Sequence, residues 1–311
     1  MNKMEIEITS TPINDWDKHA QHPLQTTMYA MYNYEHNGCI PHYCYIIEDG
    51  KHIGQLLYFV KGTGAEFFSS FPLGKTIGKI SKTFFPIISF DQGPTYYEEQ
   101  KHDFTIEEII EELKEHHNIT KIQATTPKTN NNNWSTYKIN LNQPLIKIWD
   151  NIKKSTKKNI KRTINRTTIK IDNENTTLKQ YKYLLRQSRT ELGMKHLPPC
   201  YPNKTLKKYF NDQTQVILIE YDNNPIAAMG ILEHKGYILE IGSAISPQCK
   251  QENIYAGDLI KWVIMTYGHQ KKHNTYDLGG CNPKPETPKE ESIKNFKAKF
   301  GGTYQEYGVI Q

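Results

Sequence analysis

The sequence predicts an α/β protein built from two similar units in tandem, and three observations carry that expectation. Segments of strand and helix periodicity alternate over residues 1–143, the alternation restarts at Pro144 with a helical phrase, and the second series repeats the first in outline. With 311 residues, 37% of them hydrophobic, the chain has material for two cores, and the expected boundaries are 1–143 and 144–311.

The first series opens with a strand over 5–9 and a polar stretch containing Pro12 and Pro23. A helix over 25–37 follows, whose Met28, Tyr29, Met31 and Tyr32 form a stripe of core character. Strands over 43–48 and 53–60 are joined by Asp49-Gly50, a pair suited to the positive φ angles of a two-residue hairpin turn. Gly74-Lys75-Thr76 imitates the end of a phosphate-binding loop. Ser69 stands where that loop requires its first glycine, so the stretch reads as a basic surface loop. A strand over 87–90 ends in Asp91-Gln92-Gly93-Pro94, and Thr105 with Glu108 opens a helix burying Ile109, Ile110 and Leu113. Strands over 121–125 and 137–141 complete the series. His36, Cys39, His42 and Cys44 are metal-ligand types, but their spacing matches no zinc motif, and no metal is expected.

In the second series a helix is expected over 145–168, with Leu145, Ile148, Trp149, Ile152, Ile160 and Ile164 on its apolar face. Lys153, Lys154, Lys157, Lys158, Lys161, Arg162 and Arg166 leave its other faces, with no acid between Asn151 and Lys170. A strand over 169–172, a helix over 178–192, a hairpin of 216–221 and 226–232 through Asn223-Asn224, a strand over 237–245 and a helix over 255–268 come next. An apolar run over 273–278 then meets Gly279-Gly280, where the chain is expected to turn. After a Pro- and Glu-rich loop over 281–291, Ile293, Phe296 and Phe300 share one helical face with Lys294, Lys297 and Lys299 beside or opposite it. Gly301-Gly302 stops that helix, and 304–310 reads as a last strand directed back towards the first unit.

Composition narrows the function classes. No apolar run reaches the roughly 18–20 residues of a membrane span, and the N-terminus lacks a signal-peptide core, so a cytoplasmic location is expected. The five cysteines, Cys39, Cys44, Cys200, Cys249 and Cys281, are odd in number and scattered, which suits reduced thiols. Formal charge is +6, and much of it is concentrated in the segment following Asn151.

The phrase Tyr276-Asp277-Leu278-Gly279-Gly280, then a loop, then Ile293-x-x-Phe296-Lys297-x-x-Phe300-Gly301-Gly302, resembles the Fem family of cell-wall aminoacyltransferases. Weaker echoes in the family's order extend over nearly the whole chain. That family carries an aminoacyl group from a charged tRNA to the peptide of a peptidoglycan precursor, and its fold is two acetyltransferase-like (GNAT-like) units. The resemblance implies Lys297, with Phe296 beside it, at the reacting centre, and Asp277, Gly279 and Gly280 as substrate contacts. It also implies Gln25 and Tyr29 as precursor contacts, although Asn33 falls near the family's lysine position, and it makes Asp91 and Gly93 candidates of the same kind. Lys157, Lys158, Lys161 and Arg162 become the tRNA contacts. The implied partners are aminoacyl-tRNA and a nucleotide- or lipid-linked cell-wall precursor, with peripheral contact at the inner membrane face among those the resemblance admits.

The chemistry implied is modest in its needs. An aminoacyl ester is already activated, so no cofactor is expected, and a positioned cation suffices to stabilise the oxyanion. No Ser/His/Asp, Cys/His or G-x-S-x-G signature supports covalent catalysis. Two alternatives stand beside this reading. One is an acyl-CoA-dependent N-acyltransferase acting on an envelope or polysaccharide precursor, although the stretch over 250–257, where such an enzyme needs a glycine-rich turn, has one Gly and a Glu. The other is a non-catalytic RNA-binding module using the basic helix.

Overall fold

The computed structural model describes residues 4–13, 15–64, 74–97, 105–127, 132–191 and 203–310, so Ser69 and Cys200 lie outside the described residues. The chain divides into two compact units, Met1–Trp134 with Glu306–Gln311, and Ser135–Gln305.

The first unit runs β1 (Met4–Thr9), α1 (Trp16–His19), a 3-10 turn (Pro23–Gln25), α2 (Thr27–Asn37), β2 (Ile40–Glu48), β3 (Lys51–Gly62), α3 (Gly74–Phe84), β4 (Pro86–Asp91), β5 (Thr95–Tyr96), α4 (Ile106–His117) and β6 (Ile122–Pro127). Its strands lie in the order β1-β2-β3-β4-β6, with β5 paired to β3. The β2–β3 hairpin turns at Asp49 and Gly50, with φ of 48° and 75°, the left-handed pair such a turn demands. β4 and β6 are parallel, and the helix that crosses between them, α4, has the expected capping box of Thr105 and Glu108. Tyr307–Ile310, near the C-terminus, pair antiparallel with β6. The core joins Cys44, Ile46, Leu56, Tyr58, Ile88 and Phe90 of the sheet to Ile109, Ile110 and Leu113 of α4.

The second unit contains β7 (Asn132–Asn140), α5 (Leu145–Asn151), α6 (Lys154–Ile164), β8 (Thr168–Asp172), α7 (Asn175–Glu191), α8 (Lys204–Phe210), β9 (Thr214–Tyr221), β10 (Asn224–His234), β11 (Tyr237–Ile245), α9 (Gln248–Gln251), α10 (Ala256–Gln270), β12 (Thr275–Cys281), α11 (Pro288–Ala298) and β13 (Thr303–Ile310), the first residues of β7 and the last of β13 belonging with the first unit. Strand order here is β7-β12-β11-β10-β9-β8. Both faces of this sheet are covered, which explains the unbroken apolar run Val216-Ile217-Leu218-Ile219 in β9. Val216 and Leu218 pack with Leu178, Tyr181, Leu184 and Leu185 of α7, while Ile217 and Ile219 join the cluster that includes Leu259, Ile260 and Ile264 of α10. Each such Leu or Ile contributes about 1.5–3 kcal/mol relative to exposure.

Four expectations are corrected. The helix expected over 145–168 is two helices, because Ile152 and Lys153 are extended and the Lys153 N–H is taken by the Lys299 carbonyl at 2.9 Å. Gly74-Lys75-Thr76 open α3 instead of forming a loop. Gln25 precedes α2, which begins at Thr27 with Thr26 as its cap. The Gly279-Gly280 pair does not end its strand: β12 continues to Cys281, with a register shift against β7 between Asp277 and Gly280. Among the described residues, no helix is long and apolar enough to cross a membrane.

Candidate active site

β11 and β12 are parallel and pair only over Tyr237–Leu239 and Thr275–Asp277. Beyond that point their ladder ends, and the backbone of Gly279 and Gly280 is left to other partners. Gly279 adopts a φ of 69°, a conformation that costs a side-chain-bearing residue dearly. Its shape is held from below by Asp277, a buried carboxylate that accepts from Gly279 N–H at 2.8 Å, from the Tyr237 hydroxyl at 2.5 Å and from the Thr136 hydroxyl at 2.5 Å. Asp277 is therefore a scaffold group. Its oxygens are occupied by donors of the protein itself.

Lys297 closes this arrangement. α11 begins with a capping box of Thr287 and Glu290 and Pro288 at its first position, which sets its register, and Phe300 just beyond its end anchors it in the core. From its last turn Lys297 donates to the carbonyl oxygens of Gly279 at 2.7 Å and Gly280 at 2.6 Å. An ammonium carries three N–H groups, so these two carbonyls leave one of them unused. Burial lowers its pKa from 10.5 to about 8; nearby Glu240 opposes that shift, and Lys261 reinforces it.

Beside Lys297 is a buried polar group that no local motif marks. Glu240 of β11 and Lys261 of α10 form a buried ion pair, and Tyr276 donates its hydroxyl to the same Glu240 oxygen. Burial pushes the Lys261 pKa down, with Glu240 opposing, and burial together with Glu240 drives the Tyr276 phenol well up. The available signal was a lone lysine among Leu259, Ile260, Val263, Ile264 and Met265, and a lone glutamate inside an apolar strand. A charge in such a run needs a partner.

The other expected residues fall into separate groups. Phe296 is half-buried in the core, its ring 5.5 Å from that of Phe300 and 4.0 Å from the Lys299 ammonium, a packing position that also orients α11. Lys294 donates to the Pro283 carbonyl at 2.6 Å. In the first unit, the buried Gln25 carboxamide accepts from Leu57 N–H at 3.0 Å and donates to the carbonyls of Asp91 at 2.5 Å and Leu57 at 3.5 Å, so both its N–H groups are used internally. Tyr29 is buried against Phe59, Gly93 is buried, and Asp91 is exposed at the end of β4. On α6, Lys158 and Arg162 are exposed. Lys157 lies over the Trp149 ring and bonds the Asp150 carbonyl at 3.0 Å, and the exposed Lys161 also has its ammonium over Trp149. Cys44 is buried, its thiol pushed up to about 12 by burial, and His42 stacks on Tyr58. Among the described residues no three His, Cys, Asp or Glu side chains gather as a metal site.

FemX superposes with a TM-score of 0.70 at 10% identity, covering 97% of this chain and 96% of FemX. The chain has a FemX-like fold of two GNAT units. L-PGS from Bacillus licheniformis (TM-score 0.53, 10% identity, 86% of this chain and 83% of that one) and a tandem GNAT protein from the clavulanic acid biosynthesis pathway (0.52, 9%, 99% and 97%) share the fold. No protein-family model and no curated protein matches at the level of sequence. In the FemX-like frame, the end of the β11–β12 ladder and the Lys297 clamp lie in the second unit.

Proposed function

We propose that the chain is an aminoacyltransferase that moves an amino acid from aminoacyl-tRNA to an amine of a cell-wall peptide precursor, nucleotide- or lipid-linked. The observation that carries this reading is the ammonium of Lys297, the lysine of the F-K-x-x-F-G-G phrase, clamped by the Gly279 and Gly280 carbonyls and left with one N–H for a substrate. In the reaction the acceptor amine attacks the ester carbonyl carbon, the carbonyl oxygen gains charge, and the bond to the ribose oxygen breaks. The remaining Lys297 N–H stabilises the developing oxyanion, and the proton that the attacking amine loses as the amide forms passes to the departing ribose oxygen. Lys158 and Arg162 of α6 supply phosphate contacts for the tRNA.

The acyl-CoA alternative has less support. Pyrophosphate binding at a helix N-terminus needs free N–H groups and a positive field. At α10 the Tyr255 N–H is bonded to the Thr163 hydroxyl at 3.1 Å, and the first turn carries Asp258, itself held by Lys299 at 2.5 Å and Asn159 at 2.9 Å. An aminoacyl ester donor requires no such grip. Incubating the purified protein with charged tRNA and precursor, in parallel with acetyl-CoA, tests the reading. Amide product from the tRNA donor that disappears in Lys297→Ala is the expected result, and product from acetyl-CoA alone overturns it.

A further inference from the structure

α3 is packed with its small side inward. Gly78 is buried against Gly62 of β3, so closely that a Cβ on Gly62 would meet Gly78 O at 2.7 Å and Lys82 N at 2.4 Å. This backbone-on-backbone contact leaves the helix's bulky apolar side chains outside. Ile77, Ile80 and Phe84 recur at i, i+3 and i+7 and are 39%, 54% and 69% exposed, and Phe85, just past the helix, is 62% exposed. The Phe85 backbone is fixed where it stands, its N–H bonded to Ser81 O at 2.7 Å and its carbonyl accepting from Thr63 N–H at 3.0 Å.

We propose that this face of α3 docks on an anionic lipid bilayer. An amphipathic helix that buries aromatic and branched side chains at the headgroup boundary, with lysines around them, is the form of an interfacial anchor. Two features favour a bilayer over a protein partner. The sequence has no acid between Glu66 and Asp91, whereas Lys79 is exposed on the helix and Lys121 lines the same shallow groove as the four apolar side chains. The groove's hydroxyls are used internally, Ser81 donating to Thr63 O at 2.8 Å and Thr63 to Phe85 O at 3.1 Å. What the surface offers is apolar area and diffuse positive charge, with little directional hydrogen bonding. An anionic membrane surface matches both, and a contiguous apolar patch rimmed by cations is costly to leave in water.

The test is co-sedimentation with vesicles of phosphatidylcholine alone and of phosphatidylcholine containing phosphatidylglycerol, using the full chain. Wild type is expected to pellet with the phosphatidylglycerol vesicles and to be released by salt. Phe84→Asp with Phe85→Asp should lower the partition coefficient by about tenfold or more, since two aromatic side chains lose their apolar medium. Lys79→Glu should weaken binding to the anionic vesicles only. Tyr183→Asp, at a tyrosine 62% exposed on the other unit, is the control and should leave binding unchanged. All these positions are exposed, and circular dichroism checks that the variants fold. Absence of wild-type binding to the anionic vesicles, or equal losses in the tyrosine control, overturns the proposal. A wild-type dimer that Phe84→Asp dissociates also overturns it, in favour of a second copy of the chain.

Discussion

Lys261 and Glu240 form an ion pair with side chains only 5% and 8% exposed, and the Tyr276 hydroxyl donates to the same glutamate oxygen. Pairs of this kind add little net stability, but breaking one leaves a charge with no water. Lys261→Met is therefore expected to destabilise the protein by about 3–5 kcal/mol in denaturant unfolding. The double variant Lys261→Met with Glu240→Leu should recover much of that loss. Additive losses in the two single variants would show that the pair is not coupled.

Lys297→Ala is expected to lower the rate of aminoacyl transfer by about 10² or more, the scale of one lost oxyanion donor. Lys294→Ala should have a small effect, because that side chain secures the loop at Pro283. Lys297→Arg should rescue in part only, since a planar guanidinium cannot reproduce an ammonium gripped by two carbonyls. Equal, small effects at 294 and 297 would reduce the F-K phrase to helix packing.

The pH dependence has a definite sign. If the ammonium form acts, activity falls as pH rises through about 8. Stability should move the other way: between about 8 and 10.5 the unfolded chain binds a proton at this lysine that the folded chain does not, so the contribution of Lys297 to stability rises over that window. Parallel rate and unfolding profiles of wild type and Lys297→Met measure both. The alkaline fall in rate should be absent from whatever residual activity the variant keeps.

Asp277→Asn tests the scaffold beneath the glycines. The carboxylate accepts from Thr136, Tyr237 and Gly279 N–H, and an amide nitrogen would face a donor in at least one of those directions. A loss of about 1–3 kcal/mol is expected. Transfer should slow through kcat more than KM, because a displaced Gly279 carbonyl releases Lys297. An intact rate with lowered stability would separate the scaffold from the chemistry.

For the basic helix, Lys158→Ala and Arg162→Ala should each reduce the slope of log affinity for tRNA against log salt by about 0.7–0.9. Lys157→Ala should change the slope less, since its ammonium is already engaged with Asp150 and lies over Trp149. Unchanged slopes at 158 and 162 would remove α6 from the tRNA path.

Local chemistry accounts for what could be read from the sequence. The Asp49-Gly50 turn and the Thr105–Glu108 capping box follow from φ preference and orphan N–H groups, both of which act within a few residues. The Lys297 phrase was legible for the same reason, as helix, lysine and glycine stop are adjacent in the chain.

Tertiary structure decided the rest, because the deciding partners are far apart in sequence. The break after α5 depends on a carbonyl of Lys299, and the continuation of β12 through its glycines depends on pairing with Ser135 and Thr136. The Gln25 carboxamide is likewise held by Leu57 and Asp91, 32 and 66 residues away. Glu240, Lys261 and Tyr276 meet only when a strand, a helix and the next strand pack together. By itself the sequence determined two α/β units and the lysine at the end of α11. Which carbonyls hold that lysine, and which buried charges surround it, was settled by long-range packing, since a buried charge persists only where folding brings it a partner.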